Sequence, residues 1–250
     1  MQKLSISKIK AFKSCRRLYE LRYIENLQPT KMSDALEIGT SYHKLIESWN
    51  TAGIMLIAFD KPSAMAMAYR RYLDPELGKL KNVEEWYEIQ LTDDYKLIGR
   101  IDGMTQDGII VDHKTTSLNL EEYEYNLQWD EQALAYMLLT GKRKIHFAVI
   151  RKPTIRQKKT EDEEAFYNRM VEWYKEDSFN KIRIITVERS DAEVEDFRKE
   201  LIRMTEEMQT NNFYKNTNHC RCWGRRCEYS EVCLNYDPNQ NYFGFEKRED

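Results

Sequence analysis

The sequence predicts an α/β (α+β) domain in which a central mixed sheet is layered with helices, and three observations carry that reading. Three β-type stretches lie close together near 84–91, 95–104 and 108–114, with turn signals at Asp93-Asp94 and over Gln106–Gly108. Helical periodicity precedes, interrupts and follows this block, as in a layered domain. Sixteen Tyr, nine Phe and five Trp supply bulky core material, which excludes a disordered chain.

Ser5-Ile-Ser7 offers a hydroxyl N-cap to a helix running through Ile9, Phe12, Leu18 and Tyr23. Gly39-Thr40 opens a second helix carrying His43, Ile46, Glu47 and Trp49, and a third is expected near 62–73. Beyond the strands, residues 121–139 form an amphipathic helix that Gly141 is placed to cap. Ile145 to Ile150 reads as a buried strand ended by Pro153. A helix at 161–176, a strand at 182–188 and a helix at 190–209 follow, the last with Phe197, Leu201, Met204 and Met208 on one face. After residue 210 the chain is irregular and cysteine-rich.

A hydrophobic fraction of 41% with 32% charged residues fits a soluble globular chain. No stretch approaches the roughly 18 apolar residues of a membrane helix, and the N-terminus lacks a signal-peptide apolar core. The expectation is a cytoplasmic protein of a bacterial, archaeal or phage-infected cell, with no membrane partner. A net charge of −3 excludes a uniformly basic coat. Yet residues 1–31 hold Lys3, Lys8, Lys10, Lys13, Arg16, Arg17, Arg22 and Lys31 against Glu20 and Glu25. Residues 141–159 hold eight lysines and arginines and no acid. Such patches are either solvated faces or the walls of a groove that binds a phosphate backbone.

The chemistry gathers in the middle of the chain. Gly99-Arg-Ile-Asp102-Gly103 ends one strand, and Asp112-His113-Lys114-Thr115 lies ten residues further on. Asp112 and Lys114 are two apart on a strand and so share a face. A hairpin would bring Asp102 beside Asp112, and two carboxylates so placed repel unless a cation sits between them. Hard oxygen ligands suit Mg²⁺ or Mn²⁺. The Lys114 ammonium beside that metal could orient or deprotonate a water, or stabilise charge on a phosphate. The plain reading is a solvated Asp–Lys pair. Downstream, Gln128, Gln132 and Tyr136 recur every four residues along one helix face.

Gly-x-x-Asp, a turn, three apolar residues and Asp-x-Lys-Thr together resemble the PD-(D/E)XK nucleases. Gln132-x-x-x-Tyr136 and Gly39-Thr-Ser-Tyr-His43-Lys-Leu-Ile-Glu47 are similar to motifs of that superfamily's RecB-like branch, and they occur in the expected order. The resemblance implies a restriction-endonuclease-like core. It implies that His43, Asp102, Asp112 and the His113 carbonyl ligate the metal. Lys114 would be the catalytic lysine, with Gln132 and Tyr136 positioning DNA or that lysine. Many relatives have Glu where this chain has Asp112, which costs one methylene of reach. The implied organisation is one nuclease domain over 1–250. It comprises a helical part at 1–80, the core at 81–189, and a C-terminal helix with a Cys-rich tail at 190–250.

Of the five cysteines, Cys15 sits near the start, while Cys220, Cys222, Cys227 and Cys233 crowd near the end. In a cytosolic protein such a cluster more often binds metal than forms disulfides. Leu4-Ser-Ile-Ser7-x-Ile9-x-x-Phe12-x-x-Cys15-Arg-Arg-x-Tyr19 resembles the first motif of the iron–sulfur members, the AddB-like and CRISPR-associated exonucleases. Their pattern implies a 4Fe-4S cluster on Cys15, Cys220, Cys227 and Cys233, joining the N- and C-terminal regions. The usual Cys-x-x-Cys would need a cysteine at Gly224, so Cys222 competes with Cys220 for one position. Four thiolates also suit structural Zn²⁺, which His219 could complete. The activity implied is an exonuclease on single-stranded or frayed DNA ends. An endonuclease, or a non-cutting nucleic-acid-binding module, remains open. Recombination or CRISPR-adaptation protein partners and a homo-oligomer are compatible with it.

Overall fold

The computed structural model describes residues 1–222, 225–237 and 240–248, without the side chains of 222 and 225. Its order is β1 (Gln2–Leu4), α1 (Ile6–Ser14), β2 (Leu27–Pro29), α2 (Asp34–Ala52), α3 (Lys61–Tyr72), β3 (Glu85–Gln90), β4 (Tyr95–Ile101), β5 (Gly103–Met104), β6 (Ile110–Thr116), α4 (Leu120–Leu127), α5 (Glu131–Thr140), β7 (Lys144–Arg151), α6 (Glu163–Glu176), β8 (Ile182–Glu188) and α7 (Asp191–Gln209), with short turns of helix and strand between and after them. The chain forms two compact units. One comprises Met1–Ser33, Ile89–Ile98 and Arg198–Asp250; the other comprises Asp34–Glu88 and Gly99–Phe197.

The second unit is built on a sheet of order β5-β6-β7-β8. β6 and β7 run parallel, joined by a crossover through α4 and α5, while β5 and β8 flank them antiparallel. β7 is central: Ile145, Phe147, Ala148, Val149 and Ile150 are all fully buried. That explains its nearly continuous apolar sequence. Strand period sorts β6 into two faces. Val111 joins a core with Tyr42 and Ile46 of α2, Met65 and Tyr69 of α3 and Tyr174 of α6. Asp112 and Lys114 turn the other way, toward Gln132 of α5.

In the first unit β1 pairs in parallel with the start of β4, Leu4 opposite Leu97. β2 pairs antiparallel with Phe245–Lys247. A small core of Leu21, Leu27, Tyr229 and Val232 holds the tail, and Tyr229 donates to the Leu27 carbonyl at 2.8 Å.

Four expected elements differ. The strand expected over 95–104 breaks at Asp102 into β4, in a sheet of order β1-β4-β3, and β5, which pairs with β6. The first helix ends at Cys15, whose extended backbone (φ −162°, ψ 119°) interrupts it before a short helix at Arg16–Tyr19 and a π-helical turn at Glu20–Ile24. The second begins at Asp34, ahead of Gly39-Thr40. The single helix expected over 121–139 is two. Asp130 caps a fresh start by accepting from the Gln132 amide, which leaves Gln128 at the end of α4 and off the face of Gln132 and Tyr136. Gly141 ends α5 in the left-handed conformation, φ 70°.

Candidate active site

All the central site residues lie in the second unit. His43 projects from the middle of α2, Asp102 follows β4, and Asp112, His113 and Lys114 lie on β6. Gly99 permits the close packing of β4 on α5: a Cβ there would stand 2.7 Å from Leu139 Cδ1 and 3.4 Å from Tyr136 Cε1.

Two groups of side chains form. In the first, Asp102 Oδ2 accepts the His113 backbone N–H at 2.7 Å and faces His113 Nδ1 at 3.3 Å and His43 Nδ1 at 3.5 Å. A strand residue's N–H and C=O leave on the same edge, so the His113 carbonyl points to this side too. A backbone hydrogen bond with His113 also acts on the His43 ring. Burial works to raise the Asp102 pKa, but the His113 hydrogen bonds and the nearby imidazoles hold it low, so it stays ionised. Burial lowers the His43 pKa despite Asp102, favouring the neutral, ligating imidazole.

Glu84 completes this group, and the sequence reading did not include it. Its ligand atom and those of His43 and Asp102 all lie within 4.8 Å of one another. Asn82 and Glu84 both take left-handed backbone conformations, φ 53° and 55°. Non-glycine residues adopt these at a cost of about 1–2 kcal/mol. This bend lets the Glu84 N–H approach the Asp102 carbonyl at 3.3 Å as β3 begins. Burial and the Asp102 charge push the Glu84 carboxyl up to about 7, against the Arg100 guanidinium whose Nε sits 2.8 Å away. The available signal was a pair of acids, Glu84-Glu85, entering the strand that precedes Gly-x-x-Asp.

In the second group Gln132 is the hub. It accepts from Lys114 Nζ at 2.8 Å and donates to Asp112 Oδ1 at 2.9 Å and Tyr136 Oη at 2.8 Å. Tyr136 donates in turn to the Arg100 carbonyl at 2.9 Å. Lys114 Nζ lies 2.7 Å from Asp112 Oδ2. Burial raises the Asp112 pKa, with Lys114 opposing and Asp102 adding. Burial alone would lower the Lys114 pKa, but Asp112 raises it, so the amine remains an ammonium.

These donors fit a divalent cation. Imidazole nitrogen, carboxylate oxygens and a peptide carbonyl are the hard or borderline ligands that Mg²⁺ and Mn²⁺ take. Asp102 and Glu84 repel each other, and a cation between them would relieve it.

In the first unit Cys15, Cys220, Cys227 and Cys233 line a single small cavity of about 20 Å³, together with His219 and Asn216. The Asn216 N–H donates to Cys15 Sγ at 3.3 Å. Burial raises the Cys227 and Cys233 thiols, and the facing cysteines add to this. The Cys222 side chain, Trp223 and Gly224 lie outside the described residues.

The family model of the PD-(D/E)XK nuclease superfamily matches residues 3–78 and 58–234. Among solved structures, a candidate exonuclease from Eubacterium rectale is similar over 96% of this chain and 90% of its own, with 14% identity and a TM-score of 0.55. An alkaline exonuclease from Laribacter hongkongensis aligns over 84% of this chain and 89% of its own, with 12% identity and a TM-score of 0.40. No curated protein matches the sequence.

Proposed function

This chain belongs to the PD-(D/E)XK nuclease superfamily, and from that premise we propose that it is a metal-dependent DNA exonuclease that hydrolyses single-stranded or frayed ends. The observation that carries the reading is the placing of a half-buried, charged Lys114 between Asp112 and Gln132, on the strand beside the His43–Glu84–Asp102 group. His43, Asp102, Asp112 and the His113 carbonyl would hold the metal, with Glu84 as a further ligand. When bound, the cation supplies Lewis acidity and a water of lowered pKa. Lys114, whose pKa the Asp112 carboxylate raises, would stabilise negative charge on the phosphate. Gln132 fixes the amine, and Tyr136 fixes Gln132 against the Arg100 carbonyl.

The same proposal assigns Cys15, Cys220, Cys227 and Cys233 to a 4Fe-4S cluster, supported by their common cavity. His219 on that cavity keeps structural zinc as the rival, and metal analysis of protein prepared without oxygen separates them: four irons support the cluster, and stoichiometric zinc without iron removes it. A cytoplasmic location accords with this activity; among the described residues no helix is long and apolar enough to cross a membrane.

Digestion of 5′-labelled, 3′-labelled and circular single-stranded DNA with Mg²⁺ or Mn²⁺ tests the activity. Degradation of linear strands with the circle left intact is expected. Rapid cutting of the circle would make the protein an endonuclease, and no cutting with either metal would leave a binding module.

A further inference from the structure

Beside the metal-ligand group stands a pair of side chains that the hydrolytic chemistry does not use. Trp86 of β3 is 64% exposed, a large apolar ring open to solvent two residues after Glu84. The Arg100 Cζ lies 5.9 Å from the centroid of that ring, half exposed, with its Nε on the Glu84 carboxylate. Arg100 is tied to the catalytic network from behind, through the Tyr136 hydroxyl on its carbonyl. The Arg100 cation is therefore one carboxylate away from where a metal would sit. Its neighbour is a ring of the kind on which unpaired bases stack.

We propose that Trp86 and Arg100 grip a nucleotide of a single-stranded DNA end next to the scissile phosphate, and that Glu84 holds Arg100 back until a metal ion takes its carboxylate. The proposal rests on the nuclease reading above. Its chemistry is that of single-strand recognition: an aromatic face for any base, and a guanidinium whose fork matches a phosphate. A paired base inside a duplex has both faces stacked, so Trp86 selects unpaired ends. Glu84 Oε2 meets Arg100 Nε at 2.8 Å and ties down the guanidinium. A divalent ion shared by His43, Asp102 and Glu84 competes for that carboxylate, and the released guanidinium turns to the phosphate. Metal and DNA thus reinforce each other's binding through one side chain.

The test is binding of a 5′-fluorescent single-stranded oligonucleotide by anisotropy, in chelator and in Ca²⁺, with the oligonucleotide verified intact afterwards. Trp86→Ala should bind about tenfold more weakly. Unmutated protein should lose about as much on an oligonucleotide whose terminal nucleotides are abasic, and Trp86→Ala should lose nothing further on it. Arg100→Ala should weaken binding in Ca²⁺ and lower the salt slope by about one. Glu84→Gln should bind DNA more tightly than the unmutated protein in chelator, with Arg100 already free, and should gain less on adding Ca²⁺. Equal affinities for Trp86→Ala, Arg100→Ala and the unmutated protein, in protein that cuts linear DNA, would overturn the grip while leaving the nuclease reading intact. Unchanged chelator affinity in Glu84→Gln would overturn the exchange. Unmutated protein that neither binds nor cuts DNA would remove the nuclease reading itself.

Discussion

Replacing Lys114 by Met should expose how strongly the buried Asp112 carboxylate depends on its cation. Asp112 is 2% exposed and faces Lys114 Nζ at 2.7 Å. Methionine keeps most of the side-chain volume and removes the charge, leaving an unpaired carboxylate. Removing one partner of a buried ion pair costs about 3–5 kcal/mol. Protonation of Asp112 sets an independent ceiling. Neutralising a carboxyl whose unfolded pKa is about 3.9 costs about 1.4 kcal/mol per pH unit, hence about 5 kcal/mol at pH 7.5 and about 2 kcal/mol at pH 5.5. The sign follows from the raised folded pKa: the protonated form is no handicap below the unfolded pKa, and the loss grows as pH rises. Urea unfolding of unmutated and Lys114→Met protein in chelator at the two pH values measures it. The double variant Asp112→Asn/Lys114→Met should recover much of the loss at pH 7.5, since no charge of the pair then remains. A loss under 1 kcal/mol at pH 7.5, or one unchanged at pH 5.5, would refute the argument.

Other outcomes follow from the same geometry. Asp102→Ala, Asp112→Ala and Lys114→Ala should each lower DNA cleavage by orders of magnitude, and a well-folded Asp112→Ala protein with full activity would remove the proposed active site. Glu84 titrates near 7 in the fold against about 4.5 unfolded, and Asp112 is raised as well, so metal-free protein should lose thermal stability as pH rises from about 4.5 through 7. Mn²⁺ should restore that stability, and a flat melting profile in chelator would contradict it. Gly99→Ala should cost about 1–3 kcal/mol in urea unfolding, because its Cβ meets Leu139 and presses on Tyr136. Cys15→Ser should lose iron. The tail should then loosen without detaching, because Tyr229 and Val232 retain their core against Leu21 and Leu27, and limited proteolysis reads the difference.

Much of the site was legible because its geometry is local. Asp112 and Lys114 share a face through the two-residue period of a strand, and Gln132 and Tyr136 through the four-residue step of a helix. Gly141 and the strand at 182–188 were legible for the same reason. The break at Asp130 was less so: a capping aspartate overrides a helical period that continues on both sides of it, and this removed Gln128 from the face.

Glu84, Arg100 and Trp86 illustrate the other limit. Nothing in Asn82-Val-Glu84-Glu85 tells which acid turns inward. Two left-handed residues decide it, and the surrounding fold stabilises that bend at an energetic cost no local pattern reveals. The sequence by itself determined the residue types, their order and the faces on which Asp112, Lys114, Gln132 and Tyr136 lie, because strand and helix periods are properties of a few neighbouring peptides. The tertiary structure alone decided that Glu84 joins His43 and Asp102 and holds Arg100. Those contacts depend on the approach of β3, β4 and α2, which is set by packing between segments far apart in the chain.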